Sequence, residues 1–171
     1  MKTLVIHPKD ETTDFLSEIY SGKDWTIINT NISKSALKRA INEHDRIIML
    51  GHGSKQGLIG FNKFIIGSEL VYLLREKECV CIWCNADQFV VKYGLKGFYT
   101  GMIISEYEEA LMYCVQTTSE KISHSNLLFA EAVKKSIDKN KDTIVESIKS
   151  IYNNIDDNSV IEFNQQNLYV F

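Results

Sequence analysis

A single proline, Pro8, stands in the 171 residues. The chain therefore has no proline-rich linker, and it shows no low-complexity tract and no repeat, so it reads as one domain over 1–171. Cysteine is scarce too. Of Cys79, Cys81, Cys84 and Cys114, the first three crowd into one apolar stretch. Cys79 and Cys81 lie too close along one strand to bridge easily, so free thiols in a reducing compartment are expected rather than a disulfide framework. An excess of positive charge is also missing. The net charge is -3, which removes the electrostatic ground for a nucleic-acid partner, and the cations of "KSALKRA" read as a solvated helix face. No apolar run approaches the roughly 20 residues of a membrane span. The start, "MKTLVIHPKDE", has too short an apolar core for a signal peptide and turns acidic at once. A cytoplasmic protein without a membrane partner is the expectation.

What is present is enough apolar residue, 44% of the chain, for a sizeable core. Short runs rich in branched side chains alternate with amphipathic segments. "TLVIH" (3–7), "WTIINTN" (25–31), "RIIML" (46–50), "CVCIWC" (79–84) and "GFYTGMI" (97–103) read as five strands. Helices are expected over "DETTDFLSEIYS", capped by Thr12 or Thr13, over 33–44 behind Ser33, over 68–77 behind Ser68, and over "ADQFVVKYGL". Three more are expected over 105–115, opened by Ser105, over 123–139 and over 142–155. "GLIGFNKFIIG" (57–67) reads as a small hairpin about Asn62-Lys63, and the tail "SVIEFNQQNLYVF" as a second hairpin about 164–166. Alternating strands and helices predict an α/β three-layer sandwich around a mainly parallel sheet, with flavodoxin-like strand order and a small hairpin inserted between strands three and four.

In such sheets ligands bind at the carboxyl ends of the strands. His7 ends the first strand, "RIIMLGHGS" delivers His52 just after the third, and "CVCIWCNAD" delivers Cys84 at the end of the fourth. Adjacent strands lie about 4.8 Å apart, so a histidine and a cysteine at neighbouring strand ends can work on one substrate carbonyl. A thiol needs a base close by to become a nucleophile, and a helix after Cys84 would favour the thiolate. Gly53 allows close backbone approach, and its N–H with that of Cys84 can form an oxyanion hole. Cys79 and Cys81 are read as packing. Two rival motifs fail. Gly51-x-Gly53-x-x-x-Gly57 has Gln56 where a dinucleotide fingerprint needs its third glycine, and Cys81 and Cys84 point to opposite faces, against a zinc site.

An apolar strand ending in His-Gly, followed by an apolar strand ending in Cys, resembles the caspase-like cysteine peptidases, the group of caspases, legumain, gingipains, clostripain, separase and CHAT domains. "IIMLGHGS" is similar to the His block and "CVCIWCNAD" to the Cys block. The segment "GLIGFNKFIIGSELVYLL" is similar to the hairpin and helix between them, and "GLKGFYTGMIISEYEEALMY" to the strand and helix that follow. The resemblance covers 46 to about 115. It implies a caspase-like fold and cysteine endopeptidase activity on a peptide or protein substrate, without a cofactor. His52 would be the base and acid, Cys84 the nucleophile, and Gly53 with the Cys84 N–H the oxyanion donors. The sequence departs from the pattern in two places. Asn85-Ala86-Asp87 follows the cysteine where many members have a small residue and soon after it a glycine, and Ile82 stands where some arginine-specific members place a carboxylate. Asp10, Glu11, Asp87 and Glu106 are acidic groups expected near the same rim, able to select a basic side chain, with His7 a further pocket candidate. The alternatives are a caspase-like module without turnover, used for binding or regulation, and a flavodoxin-like nucleotide or phosphate binder.

Overall fold

The structure, a computed structural model, describes residues 1–153 and 157–171. Its main sheet has six strands. In chain order they are β1 (Thr3–Ile6), β2 (Thr26–Ile28), β3 (Arg46–Leu50), β7 (Glu78–Ile82), β8 (Lys96–Thr100) and β9 (Leu168–Val170). Between β3 and β7 comes a separate small sheet of β4 (His52–Ser54), β5 (Gly57–Gly60) and β6 (Lys63–Ile66). The main sheet runs β2-β1-β3-β7-β8-β9, with the first five strands parallel and β9 antiparallel at the edge. The order therefore reverses between β1 and β3, and a crevice opens beyond their carboxyl ends.

The central strands β1, β3 and β7 read as apolar runs because both faces are covered. Leu4, Ile6, Ile47, Met49, Cys79 and Cys81 point to one core. They meet α1 (Lys34–Asn42), α2 (Val71–Leu74), α3 (Ala86–Tyr93) and the small sheet. Val5, Ile48, Leu50, Val80, Ile82 and Phe98 point to the other core. They meet a 3-10 helix (Glu11–Tyr20), α5 (Ser119–Ser136), α6 (Lys141–Ile151) and α7 (Ser159–Gln165). A further helix, α4 (Tyr107–Met112), sits at the carboxyl rim with a small core of its own around Ile104 and Ala110. The α/β layering expected from the alternation is thus what the chain forms. Among the described residues no helix is long and apolar enough to cross a membrane.

Several expectations shift in detail. The first helical segment is a 3-10 helix capped by Asp10, whose carboxylate accepts the Thr12 N–H. β2 shrinks to three residues. α4 begins behind Glu106 rather than Ser105, because Glu106 and Glu109 form a reciprocal capping box. The hairpin turns at Phe61 and Asn62, both with positive φ, and β4 adds a third strand to it. The tail is no hairpin. Asn158 caps α7, Val160, Ile161 and Asn164 share its buried face, and only Leu168–Val170 is extended, paired with β8. Positions 154 and 155 of the helix expected over 142–155 lie outside the described residues.

Candidate functional site

His52 is placed by the way the chain leaves the sheet. Gly51 continues the parallel ladder through its N–H to the Ile82 carbonyl at 3.1 Å. It then turns out of the sheet at φ 137°, a conformation in which a side chain would be strained. β4 follows, with His52 half-buried. The His52 Nε2 lies 2.6 Å from Thr12 Oγ1, and the Thr12 hydroxyl donates to Asp10 Oδ1 at 2.7 Å. The hydroxyl has one proton, and the carboxylate takes it. Thr12 Oγ1 therefore accepts from Nε2–H, so Nδ1 carries the lone pair of the neutral ring. Asp10 itself lies 3.7 Å from Nε2. Its carboxyl is held below the usual range first by the Thr12 hydroxyl and then by the Thr12 N–H.

Gly53 has a packing role that the residue itself dictates. A Cβ there would fall 2.2 Å from Trp83 Cδ1. The buried indole packs against this backbone and donates from Nε1 to the Ser54 carbonyl at 3.0 Å. Trp83 precedes Cys84, so the strand bearing the histidine is fastened to the strand bearing the cysteine by this one side chain. The Trp83 carbonyl is fixed in turn by the Thr100 hydroxyl, 3.0 Å away.

Cys84 follows the end of β7, and Asn85, with φ 64°, turns the chain into α3. The thiol points to the face opposite Cys81. It donates to Glu109 Oε1 and to the Ile103 carbonyl, each at 3.6 Å. Burial, and after it the Glu109 carboxylate, push the thiol up to about 12, so at neutral pH it holds its proton. His52 and Cys84 line one crevice of about 20 Å³, shared with Thr13, Ile103 and Ser105. That volume admits about one water. No hydrogen bond joins the two side chains among the described residues. Roomier cavities lie elsewhere. One of about 560 Å³ at the amino ends of the strands is lined by Arg46, Glu78, Lys96 and Asp138. Another of about 160 Å³ lies between the β2–α1 loop and the β5–β6 hairpin.

The other candidates separate. Asp10 joins His52, as described. Glu106 caps α4 close enough to feel His52, Asp10 and Glu109; burial first, then the Glu109 charge, raises its carboxyl. Asp87 opens α3 on a different side. Its Oδ1 is buried without a hydrogen-bond partner, and its charge, after burial, raises the Tyr99 phenol. His7 is buried, with Nδ1 3.0 Å from the Tyr20 hydroxyl and Nε2 3.4 Å from Thr13 Oγ1, and it does not line the crevice. Cys79 and Cys81 are core residues. Three contributors escape a reading of the sequence. Nothing in the chain announces that Thr12 reaches His52 or that Trp83 spans to β4. Glu109 had a signal in the spacing Glu106-x-x-Glu109.

No family model matches the chain, and no curated protein does. Among solved structures, the Trp repressor binding protein from Bacillus subtilis is similar at TM-score 0.46 and 14% identity, over 77% of this chain and 96% of that chain.

Proposed function

We propose that the chain is a caspase-like cysteine endopeptidase working through His52 and Cys84. The observation that carries this reading is the shared crevice at the carboxyl ends of β3 and β7, with the imidazole held through Nε2 so that Nδ1 is the basic nitrogen. The cysteine thiolate attacks the scissile carbonyl carbon, and the oxyanion is taken by the N–H groups of Gly53 and Cys84. His52, having received the thiol proton, gives it to the leaving amine as the thioester forms. A water then attacks the thioester carbon, losing a proton to His52, and the thiol is restored. The order of the parallel strands and the small antiparallel sheet between the two blocks support the caspase-like assignment. The acidic groups Asp10 and Glu106 beside His52 favour a substrate with a basic side chain, and no cofactor enters these steps.

A second reading rests on a specific observation, the protonated Cys84 hydrogen-bonded to a carboxylate. This is the arrangement of a module that binds a partner without turnover. Digestion of a mixed peptide library, followed by mass spectrometry of the products, separates the two. Cleavage by the wild-type chain that disappears in Cys84→Ala and in His52→Ala supports the peptidase. No cleavage by the wild-type chain or by Glu109→Gln, in which the carboxylate at the thiol is neutralised, or equal cleavage by Cys84→Ala, overturns it.

A further inference from the structure

The Cys84 thiol has an unusual neighbour for a nucleophile. Its sulfur lies 3.6 Å from Glu109 Oε1, as from the Ile103 carbonyl, and the carboxylate is held there by its other oxygen. Glu109 Oε2 accepts from Ser105 N at 2.7 Å, from Glu106 N at 3.1 Å and from Ser105 Oγ at 3.2 Å. These bonds belong to the capping box of α4 and fix the carboxylate plane. The remaining oxygen, Oε1, has the Cys84 thiol as its hydrogen-bond partner. No lysine or arginine pairs with Glu109 among the described residues. The charged and titratable groups that act on the neighbouring Glu106 are Glu109 and Glu108 on the same helix, Asp10 from the 3-10 helix and His52 from β4. From α5, the neutral Asn126 donates to the Ser105 carbonyl at 2.9 Å. One imidazole thus stands among four carboxylates.

We propose that Glu109 is the residue that keeps Cys84 an unreactive thiol, so that the site rests latent until this carboxylate is neutralised or withdrawn with the first turn of α4. A negative charge in contact with sulfur opposes the thiolate directly. The hydrogen bond also holds the proton away from the imidazole. Once the carboxylate is gone, the thiol proton passes to His52 Nδ1 across the crevice and leaves a thiolate beside an imidazolium. No other reactant is needed. Glu109 acts here through Cys84 as a positioning residue. The inference rests on Cys84 being the reactive group of the site, but its readout is thiol reactivity and not cleavage.

Glu109→Gln tests it, because glutamine serves equally at the third position of a capping box. Iodoacetamide labelling from about pH 5 to 9, followed by peptide mapping, gives the Cys84 rate, with exposed Cys114 as an internal reference in the same molecule. Glu109→Gln is expected to label Cys84 at least about tenfold faster at neutral pH, with the rate rising at lower pH than in wild type. Glu106→Gln removes a charge that does not touch sulfur and is expected to gain less. An unchanged Cys84 profile in folded Glu109→Gln overturns the inference, as does an equal gain in Glu106→Gln. If Glu109→Gln does not fold, wild type answers through reagent charge. A cationic methanethiosulfonate should outpace anionic iodoacetate at Cys84 far more than at Cys114, and equal ratios at both cysteines overturn the proposal. Fast labelling of Glu109→Gln without any peptide cleavage keeps the latch and removes the peptidase reading. Cleavage by wild type with no labelling change in Glu109→Gln does the reverse.

Discussion

Thr12 shows how much one hydroxyl decides. It stands between an acceptor-only carboxylate and an imidazole, so the direction of its own proton fixes which ring nitrogen is basic. Thr12→Val keeps the shape and removes that relay. The imidazole nitrogen resonances should report a single tautomer, protonated at Nε2, in wild type near neutral pH, and a mixture in Thr12→Val. A single unchanged tautomer in the variant would show that Asp10, 3.7 Å away, suffices. Gly53 is as exacting for a different reason. Gly53→Ala places a methyl 2.2 Å from Trp83 Cδ1 and 2.7 Å from the Gly57 carbonyl oxygen. The indole is buried and anchored through Nε1, so it has little freedom to yield. A loss of about 1–3 kcal/mol is expected, the usual cost of overpacking, and chemical denaturation of the two proteins measures it. The sequence offered Gly53 as a place for substrate to approach closely. The structure adds that it is where Trp83 approaches closely.

At the scale of elements, the wall of the crevice formed by the segment after β8 is held by α7. Asn164 donates to the Ile104 carbonyl at 3.0 Å, accepts from the Ile104 N–H at 2.7 Å and donates to the Tyr152 hydroxyl at 3.0 Å, all of it buried. Asn164→Ala strands a buried donor and a buried acceptor. A destabilisation of about 2–3 kcal/mol is expected, with faster amide exchange over 103–106, the segment that carries Ile103 and Ser105 to Cys84. Undisturbed exchange there would place the rigidity of the wall elsewhere. This clamp lies in the part of the chain least legible from sequence. The strands beneath His52 and Cys84 were readable because burial on both faces demands continuous apolar runs, and such runs stand out. Val160 and Ile161 carry the same branched composition into a helix, where the Asn158 cap and the burial of Asn164 override strand preference. β4 was invisible for the opposite reason. His-Gly-Ser has no strand character, and its extension comes from pairing with β5. Thr12 reaches the site through tertiary packing, which no local pattern encodes, and the Glu106-x-x-Glu109 spacing marks a helix cap but not the contact of Glu109 with Cys84.

Across the whole molecule the two rims of the sheet divide the work. The carboxyl rim holds His52, Cys84 and a concentration of carboxylates. The amino rim is tied by charge: buried Arg46 meets Asp138 at 2.8 Å and Glu78 at 3.1 Å, and Lys23 meets Asp138 at 2.8 Å. These ties and the buried His7 set how stability depends on pH. Burial lowers the His7 pKa below its ordinary 6.5, against the opposing pull of Asp14, so the unfolded chain binds this proton more readily than the folded one. The neutral ring therefore stabilises the fold fully above pH 6.5, and that contribution drains away as pH falls below it. Asp138 acts lower on the scale. Hydrogen bonds from Arg46, then Lys23, hold its carboxyl below the ordinary 3.8, so its contribution is complete above that value and is lost as pH falls through the folded value. Asp10 works in the same direction, and Glu106, raised by burial, works against them. Urea midpoints at constant ionic strength should thus descend in two stages on acidification, one beginning near pH 6.5 and one below 3.8. His7→Gln, which can still meet Tyr20 and Thr13, should remove the upper stage and leave the lower. Asp138→Asn should weaken the lower and leave the upper. If His7→Gln follows the wild-type curve through the upper stage, the proton taken up there belongs to another group, and the buried histidine is a hydrogen-bonding element of the 3-10 helix alone.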